Sequence, residues 1–369
     1  MATVEPAAIE STEAVVEHFD TIVIGGGQAG LSMGYYLKRL GRPFVILDAN
    51  ERIGGSWATR TWNSLRLFTP ARFNGLPGWP FPAPAWSYPT ARETADYLEA
   101  YAARFELPIR TRMRVDRLGS AGGRYLVECG EQRLTADSVV IATGHYGVPS
   151  VPKFAPELDP GIVQMHSSEY REPAQLRPGG VLLVGAGNSG ADIAMEASKE
   201  HPTWLSGPDK GEVPVRIESR SARLVVPILW FIASRILTLR TPLGRKVRPH
   251  VLENGAPRIR VKSRNLNEAD VEQVPRTVGV QGGLPVLEDG RVLEVANVIW
   301  CTGFRQDFGW IDVPVFDDGG EPLHEGGVAS EPGLYFLGLD FLYSFTSENV
   351  GGVGRDARRI ARQIGKNGS

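Results

Sequence analysis

The sequence predicts an α/β chain built from two dinucleotide-binding Rossmann-like units, the second inserted into the first. Three observations predict it. Gly25-Gly26-Gly27-Gln28-Ala29-Gly30 follows the apolar run Thr21-Ile22-Val23-Ile24. Gly185-Ala186-Gly187-Asn188-Ser189-Gly190 follows Val181-Leu182-Leu183-Val184. Each is a GxGxxG that closes a buried-strand signal and opens a helix-like segment, the context the motif needs. Third, Val139-Val140-Ile141-Ala142 and Val298-Ile299-Trp300-Cys301 are short apolar strands that stop at Thr143-Gly144 and Thr302-Gly303, and they bracket the second glycine loop. The simplest topology leaves the first unit after one Thr-Gly exit and returns to it after the other.

Taken in order, residues 1–18 are acidic and Ala-rich, with neither the basic nor the apolar region of a signal peptide, and read as a disordered tail. Residues 21–24 form a strand. Residues 29–40 form a helix with Leu31, Tyr35 and Leu37 at helical spacing, stopped by Gly41, and 43–47 form a second strand ended by Asp48. Residues 54–90 are dense in Gly, Pro and aromatics, the composition of long ordered loops that line a cofactor. Thr90-Ala91-Arg92-Glu93 is a capping box that starts a helix reaching Phe105. Tyr335-Phe336-Leu337-Gly338 reads as the last strand and 354–364 as the last helix. The first unit then comprises 19–150 and 301–369, and the inserted unit 151–300.

A chain of 369 residues with 42% hydrophobic content has room for two such units. A net charge of −2 gives no basic footprint, so nucleic acid is not an expected partner. The two cysteines, Cys129 and Cys301, form neither a CxxC nor a zinc spacing, and the six histidines have no metal-ligand spacing. The longest apolar stretch, 224–239, is interrupted by Pro227 and Arg235 and is too short to span a bilayer. It reads as a lid over the active site, a homodimer surface, or a plain core helix. The expected setting is the reducing cytoplasm.

The loops carry the chemistry. In each, the first glycine permits the tight turn, the second lets a pyrophosphate approach the backbone, and the third lets helix pack on strand. Two loops imply two dinucleotides, and so electrons passing from a nicotinamide to a flavin. Asp48 stands where an acid accepts hydrogen bonds from ribose hydroxyls. The matching strand end of the second unit is Ser206-Gly207-Pro208-Asp209-Lys210. Ser206 and Lys210 there suit the 2′-phosphate of NADPH, while Asp209 leaves NADH open. Without a redox CxxC, the reduced flavin must deliver electrons to oxygen, to a quinone or carrier protein, or directly to the substrate.

Further motifs give the chain a family resemblance. They are Gly54-Gly55-Ser56-Trp57, Ser64-Leu65-Arg66-Leu67-Phe68-Thr69-Pro70, Tyr88-Pro89-Thr90, Ile141-Ala142-Thr143-Gly144, His166-Ser167-Ser168-Glu169-Tyr170 and Cys301-Thr302-Gly303-Phe304. With both glycine loops, these resemble the class B flavin-containing monooxygenases, particularly the shorter branch holding the plant YUCCA enzymes and bacterial flavoproteins. Gly161, His166 and Tyr170 match elements of the family's FxGxxxHxxx(F/Y) signature, with four residues between Gly161 and His166 where the family has three, and no leading Phe. Pro70 stands where many amine- and sulfide-oxidising members carry an Asn. The resemblance implies FAD on the first loop and NADPH on the second. It also implies a C4a-(hydro)peroxyflavin, formed with O2 and shielded by bound NADP+, that oxygenates a small organic substrate.

We assign Gly25, Gly27, Gln28, Ala29, Gly30, Asp48, Gly55, Ser56, Trp57, Arg66, Thr143 and Gly144 to FAD, and Gly185, Gly187, Asn188, Ser189, Gly190, Ser206, Lys210, Thr302 and Gly303 to the second cofactor. Asn188 is the candidate for a nicotinamide-side contact. The competing reading is an NAD(P)H-dependent flavin reductase serving a separate acceptor.

Overall fold

The runs that precede the glycine loops are strands buried on both faces, as in a doubly wound parallel sheet: Thr21, Ile22, Val23 and Ile24, and Val181, Leu182, Leu183 and Val184, are all at most 7% exposed. The computed structural model describes residues 16–144 and 146–367. In chain order, the elements that position the site are β1 (Glu17–Ile24), α1 (Gln28–Leu40), β2 (Phe44–Leu47), α2 (Ala91–Arg104), β3 (Gln132–Ile141), β4 (Val163–His166), β5 (Val181–Val184), α3 (Asn188–Ala197), β6 (Thr203–Ser206), α4 (Ala222–Phe231), β7 (Val271–Val274), β8 (Asn297–Trp300), β9 (Leu334–Phe336) and α5 (Val353–Asn367). The expected tail lies outside the described residues up to residue 15. Its last two residues do not belong to a tail: Glu17 and His18 pair with Leu134 and Thr135 of β3 and lengthen β1.

The first sheet places β1 between β2 and β3, all parallel, with Ile24 opposite both Leu47 and Ile141. β9 joins β3 in parallel, Phe336 opposite Ile141. The second sheet has the order β7-β6-β5-β8-β4 and is parallel throughout, with Val184 opposite Ser206 and Trp300. In each sheet the strand before the glycine loop is central, and the chain continues to one side while later strands fill the other. That is the switch-point crevice where open α/β sheets bind ligands.

Local chemistry sets the helix limits. Gly41 ends α1 at φ 67°, left-handed backbone that suits glycine. The capping box at α2 is present: Glu93 N–H donates to Thr90 Oγ1 at 3.1 Å, and Thr90 N–H donates to Glu93 Oε2 at 2.7 Å. The chain crosses between sheets twice, and the crossings pair: Val148–Pro149 runs antiparallel to Phe304–Arg305. The apolar stretch 224–239 is not a core helix. α4 runs into a π-helical turn, Ile232–Ile236, and Leu224, Ile228 and Phe231 are 77%, 60% and 56% exposed.

Candidate functional site

The two glycine loops have matching geometry, position by position. Gly25 and Gly185 sit at φ 113° and 117°. A Cβ at Gly25 would lie 2.4 Å from the Ala142 carbonyl oxygen, and one at Gly185 would lie 2.2 Å from that of Cys301. Each loop therefore folds against the residue before a Thr-Gly exit, which explains why the exits accompany the loops. A Cβ at Gly30 would fall 1.8 Å from the Gly25 oxygen, and one at Gly190 would fall 1.9 Å from the Gly185 oxygen. Gly27 and Gly187 are different: a Cβ at either meets nothing within 4 Å. Both are N-caps without a side-chain cap, at the starts of α1 and α3. An open cradle at an uncapped helix N-terminus fits a pyrophosphate, whose charge the N–H groups and helix dipole favour.

The loops diverge at the neighbouring strand end. Gly26 N–H donates to Asp48 Oδ2 at 2.5 Å, while Asp48 Oδ1 accepts from Asn50 N–H at 2.7 Å and Asn50 Nδ2 at 2.8 Å. Asp48 is thus fixed at 6% exposure beside the first cradle. In the second unit Gly207, at φ 143°, takes the corresponding place, and a Cβ there would lie 3.0 Å from Ala186 N. No carboxylate fits between that strand end and that loop.

At the start of α1, Gln28 Oε1 accepts from Trp57 Nε1 at 3.2 Å, and Gln28 Nε2 donates to the Glu348 carbonyl at 3.2 Å. Gly55 is buried, since a Cβ would lie 3.0 Å from Asn50 Cβ, and Ser56 is exposed. Gly338, just past β9, abuts the same turn, a Cβ there reaching Ala29 Cβ at 2.9 Å. Two residues later Asp340 hydrogen-bonds Glu348, and burial together with that bond pushes the Glu348 carboxyl well above the usual range. Sequence reasoning missed this pair, because its partners come from separate turns after β9. Thr143 is exposed at its strand exit and Gly144 turns there at φ 73°. Arg66 is exposed, and its guanidinium donates to the Tyr88 carbonyl at 3.1 Å, so no contact carries it to the loop.

Around the second cradle two expected contacts are spoken for. The Asn188 amide braces the backbone, Nδ2 donating to the Pro257 carbonyl at 3.1 Å and Oδ1 accepting from Ile259 N–H at 2.8 Å. Ser206 is fully buried, its hydroxyl donating to the Pro275 carbonyl at 2.8 Å and lying 2.8 Å from Thr277 Oγ1. Neither side chain is turned to a ligand, because each satisfies a chain segment far off in sequence. Ser189 is half-buried in the first turn of α3.

The segment Asn188 braces carries two arginines that sequence reasoning passed over; the alternating Arg258-Ile259-Arg260-Val261-Lys262 was the available signal. Arg258 is 1% exposed and reaches Asp209 Oδ1 and Glu212 Oε1, both at 3.2 Å, and Ser263 Oγ at 2.6 Å. One positive charge is thus shared between two carboxylates, Asp209 and Glu212. Arg260 donates to the carbonyls of Arg66 at 3.2 Å and Leu67 at 2.8 Å. It also lies over the rings of Phe68 and Tyr88 at 5.6 and 5.9 Å. Asp192 of α3 stands 3.9 Å from it, and burial pushes the Asp192 carboxyl up to about 6, with Arg260 opposing.

His166 ends β4, buried, with Nε2 3.0 Å from the Gly303 carbonyl and Nδ1 2.9 Å from Ser168 Oγ. Burial holds its pKa below the usual value. It ties β4 to the second crossing, whose Thr302 hydroxyl donates to the Ser150 carbonyl and whose Gly303 turns at φ 78°.

The comparisons with known proteins decide the family. A family model described as pyridine nucleotide-disulphide oxidoreductase matches residues 22–203. A CzcO-like oxidoreductase of Geobacillus kaustophilus is 39% identical over 94% of this chain and 98% of its own. The probable indole-3-pyruvate monooxygenase YUCCA3 of Arabidopsis thaliana is 28% identical over 93% of this chain and 86% of its own. The solved flavin-containing monooxygenase of Stenotrophomonas maltophilia superimposes with a TM-score of 0.78 at 29% identity, covering 96% of this chain and all of that one. The chain belongs to the class B flavin monooxygenase family. It is an NAD(P)H-dependent flavoprotein oxidoreductase of the monooxygenase type. Among the described residues, no helix is long and apolar enough to cross a membrane, and no cluster of His, Cys, Asp or Glu could hold a metal ion.

Proposed function

We propose that this enzyme uses NADPH and O2 to oxygenate a small organic substrate, with FAD on the first glycine loop and NADPH on the second. The observation that carries the reading is the pair of matched open cradles, Gly27 and Gly187, in a chain whose two cysteines are free and unpaired with each other. Bound FAD would supply the redox chemistry, taking two electrons from the nicotinamide and turning them on oxygen. The residues do the rest. The N-terminus of α1 and Asp48 would hold the pyrophosphate and adenosine ribose. Trp57, Gln28 and the Asp340–Glu348 pair stand beside the start of α1 and would line the flavin side of the site. We extend the inserted unit over 151–300 as the nicotinamide-binding part, and 19–150 with 301–369 as the flavin-binding part.

Preference for NADPH rests on Lys210, with Ser206 taking no part. Gly207 puts no acid at that strand end, and Arg258 pairs with Asp209 and so weakens its repulsion of a 2′-phosphate. One ammonium at a half-buried surface site contributes around 1 kcal/mol, a preference of roughly ten-fold. Lys210→Ala should abolish that preference in kcat/KM while leaving NADH turnover nearly unchanged.

The deciding experiment measures NADPH consumed, oxygen taken up and product formed with panels of soft nucleophiles and ketones. Oxygen-gas label in a product, in step with NADPH, supports the reading. NADPH oxidation that transfers no label with any class, and that speeds up with quinone or disulfide acceptors, would instead identify a reductase.

A further inference from the structure

The apolar stretch 224–239 serves neither cradle. Its inner face is seated: Ala222 and Val226 are buried, and Trp230 lies 5.4 Å from Phe73, ring to ring. Its end is fixed too. Arg355 donates to the Ser234 carbonyl, Leu239 N–H donates to the Tyr343 carbonyl at 2.9 Å, and Phe345 N–H donates to the Leu237 carbonyl at 3.0 Å. The outer face has no such cover. Leu224, Ile228 and Phe231 are more than half exposed, and Ile232 and Ile236 are each 37% exposed. Soluble surfaces seldom leave so many large apolar side chains side by side without a partner.

Charge says what that partner is. Leu224, Ile228 and Phe231 lie at steps of four and three residues along α4; exposed Arg220 precedes the helix and exposed Arg235 sits in the π-helical turn after it, so an arginine flanks each end of the stripe. Between residues 216 and 248 there are eight basic side chains and one acidic, Glu218, a net of +7 in a chain whose whole net charge is −2. We propose that this face docks on an anionic lipid surface, with the apolar stripe at the headgroup boundary and the arginines on lipid phosphates. An apolar stripe with basic borders is the pattern of helices that lie in a membrane interface. A second copy suits the face less well, since pairing it with itself sets one +7 segment against another.

The test uses the FAD-loaded enzyme and sedimented vesicles of phosphatidylcholine, alone or with about a third phosphatidylglycerol. Binding is expected only to the anionic vesicles and should fade as salt shortens the Debye length below about 8 Å. Leu224→Ser with Phe231→Ser, and separately Arg220→Ser with Arg235→Ser, should each weaken it about ten-fold or more, with the flavin spectrum unchanged. Failure to bind either vesicle would overturn the proposal. So would equal binding to both vesicles that the arginine variant leaves intact. A dimer in sedimentation velocity that the Leu224→Ser, Phe231→Ser variant dissolves would assign the face to a second copy instead. None of these readouts depends on which substrate is oxygenated.

Discussion

Asp48 holds the first loop and, on the proposed reading, the ribose. Its carboxylate already accepts three hydrogen bonds from the protein, from Gly26 and Asn50. Asp48→Ala removes charge-assisted bonds of about 1.5–3 kcal/mol each. The expected result is FAD lost on gel filtration, together with a lower apo-protein melting temperature because Gly26 loses its acceptor. Undiminished yellow colour after dilution would count against the assignment. Asp192 offers a pH test. Its folded pKa of about 6 lies above the ordinary carboxyl value near 3.9. The folded state then holds that proton more tightly than the unfolded state does. The contribution to stability is therefore greatest below about pH 4 and is lost as pH rises to about 6. Asp192→Asn should flatten that fall in urea midpoints measured across the window, and an unchanged slope would show that the carboxyl ionises normally.

At the scale of elements, the glycine loops separate folding from binding. Gly25 and Gly30 lie against backbone that cannot move away, whereas Gly27 faces open space. Gly30→Ala should therefore prevent correct folding. Gly27→Ala should cost the apo protein only about 1 kcal/mol, as for alanine at an N-cap, yet strip FAD. Gly187→Ala should keep the flavin and lose NADPH oxidation. Reversed phenotypes in these two alanine variants would exchange the cofactors between loops. This separation was only half legible in the sequence. The loops, the Thr-Gly exits, the capping box and Asp48 are local patterns, and local patterns are written in consecutive residues. The roles of Ser206 and Asn188 were not, because the hydroxyl of Ser206 meets Pro275, 69 residues on, and the Asn188 amide meets Ile259, 71 residues on. A buried polar group must find a partner somewhere, and nothing at positions 188 or 206 says where.

Across the whole molecule, the proposed hydride transfer requires the two sheets to hold their cofactors in register, and three of the ties between the units lie nearest the glycine loops. The crossings pair with each other, His166 fastens β4 to the second crossing, and Arg260 reaches from beside α3 to the Arg66 and Leu67 carbonyls. The first two are backbone or buried ties, whose loss would unfold local structure. Arg260 is the tie whose removal can be read as function. It sits between Asp192 of the second glycine-loop helix and the aromatic loop at 66–68, and it contributes no atom to either cradle. Arg260→Ala should leave FAD content intact, because Asp48, Gly26 and Gly27 are untouched. Flavin reduction by NADPH should slow by about ten-fold or more, the loss of about 1.4 kcal/mol of alignment from two charge-assisted bonds. Anaerobic stopped-flow bleaching of the flavin measures that step alone. A rate equal to wild type, with NADPH affinity also unchanged, would mean that the crossings and His166 hold the register without it.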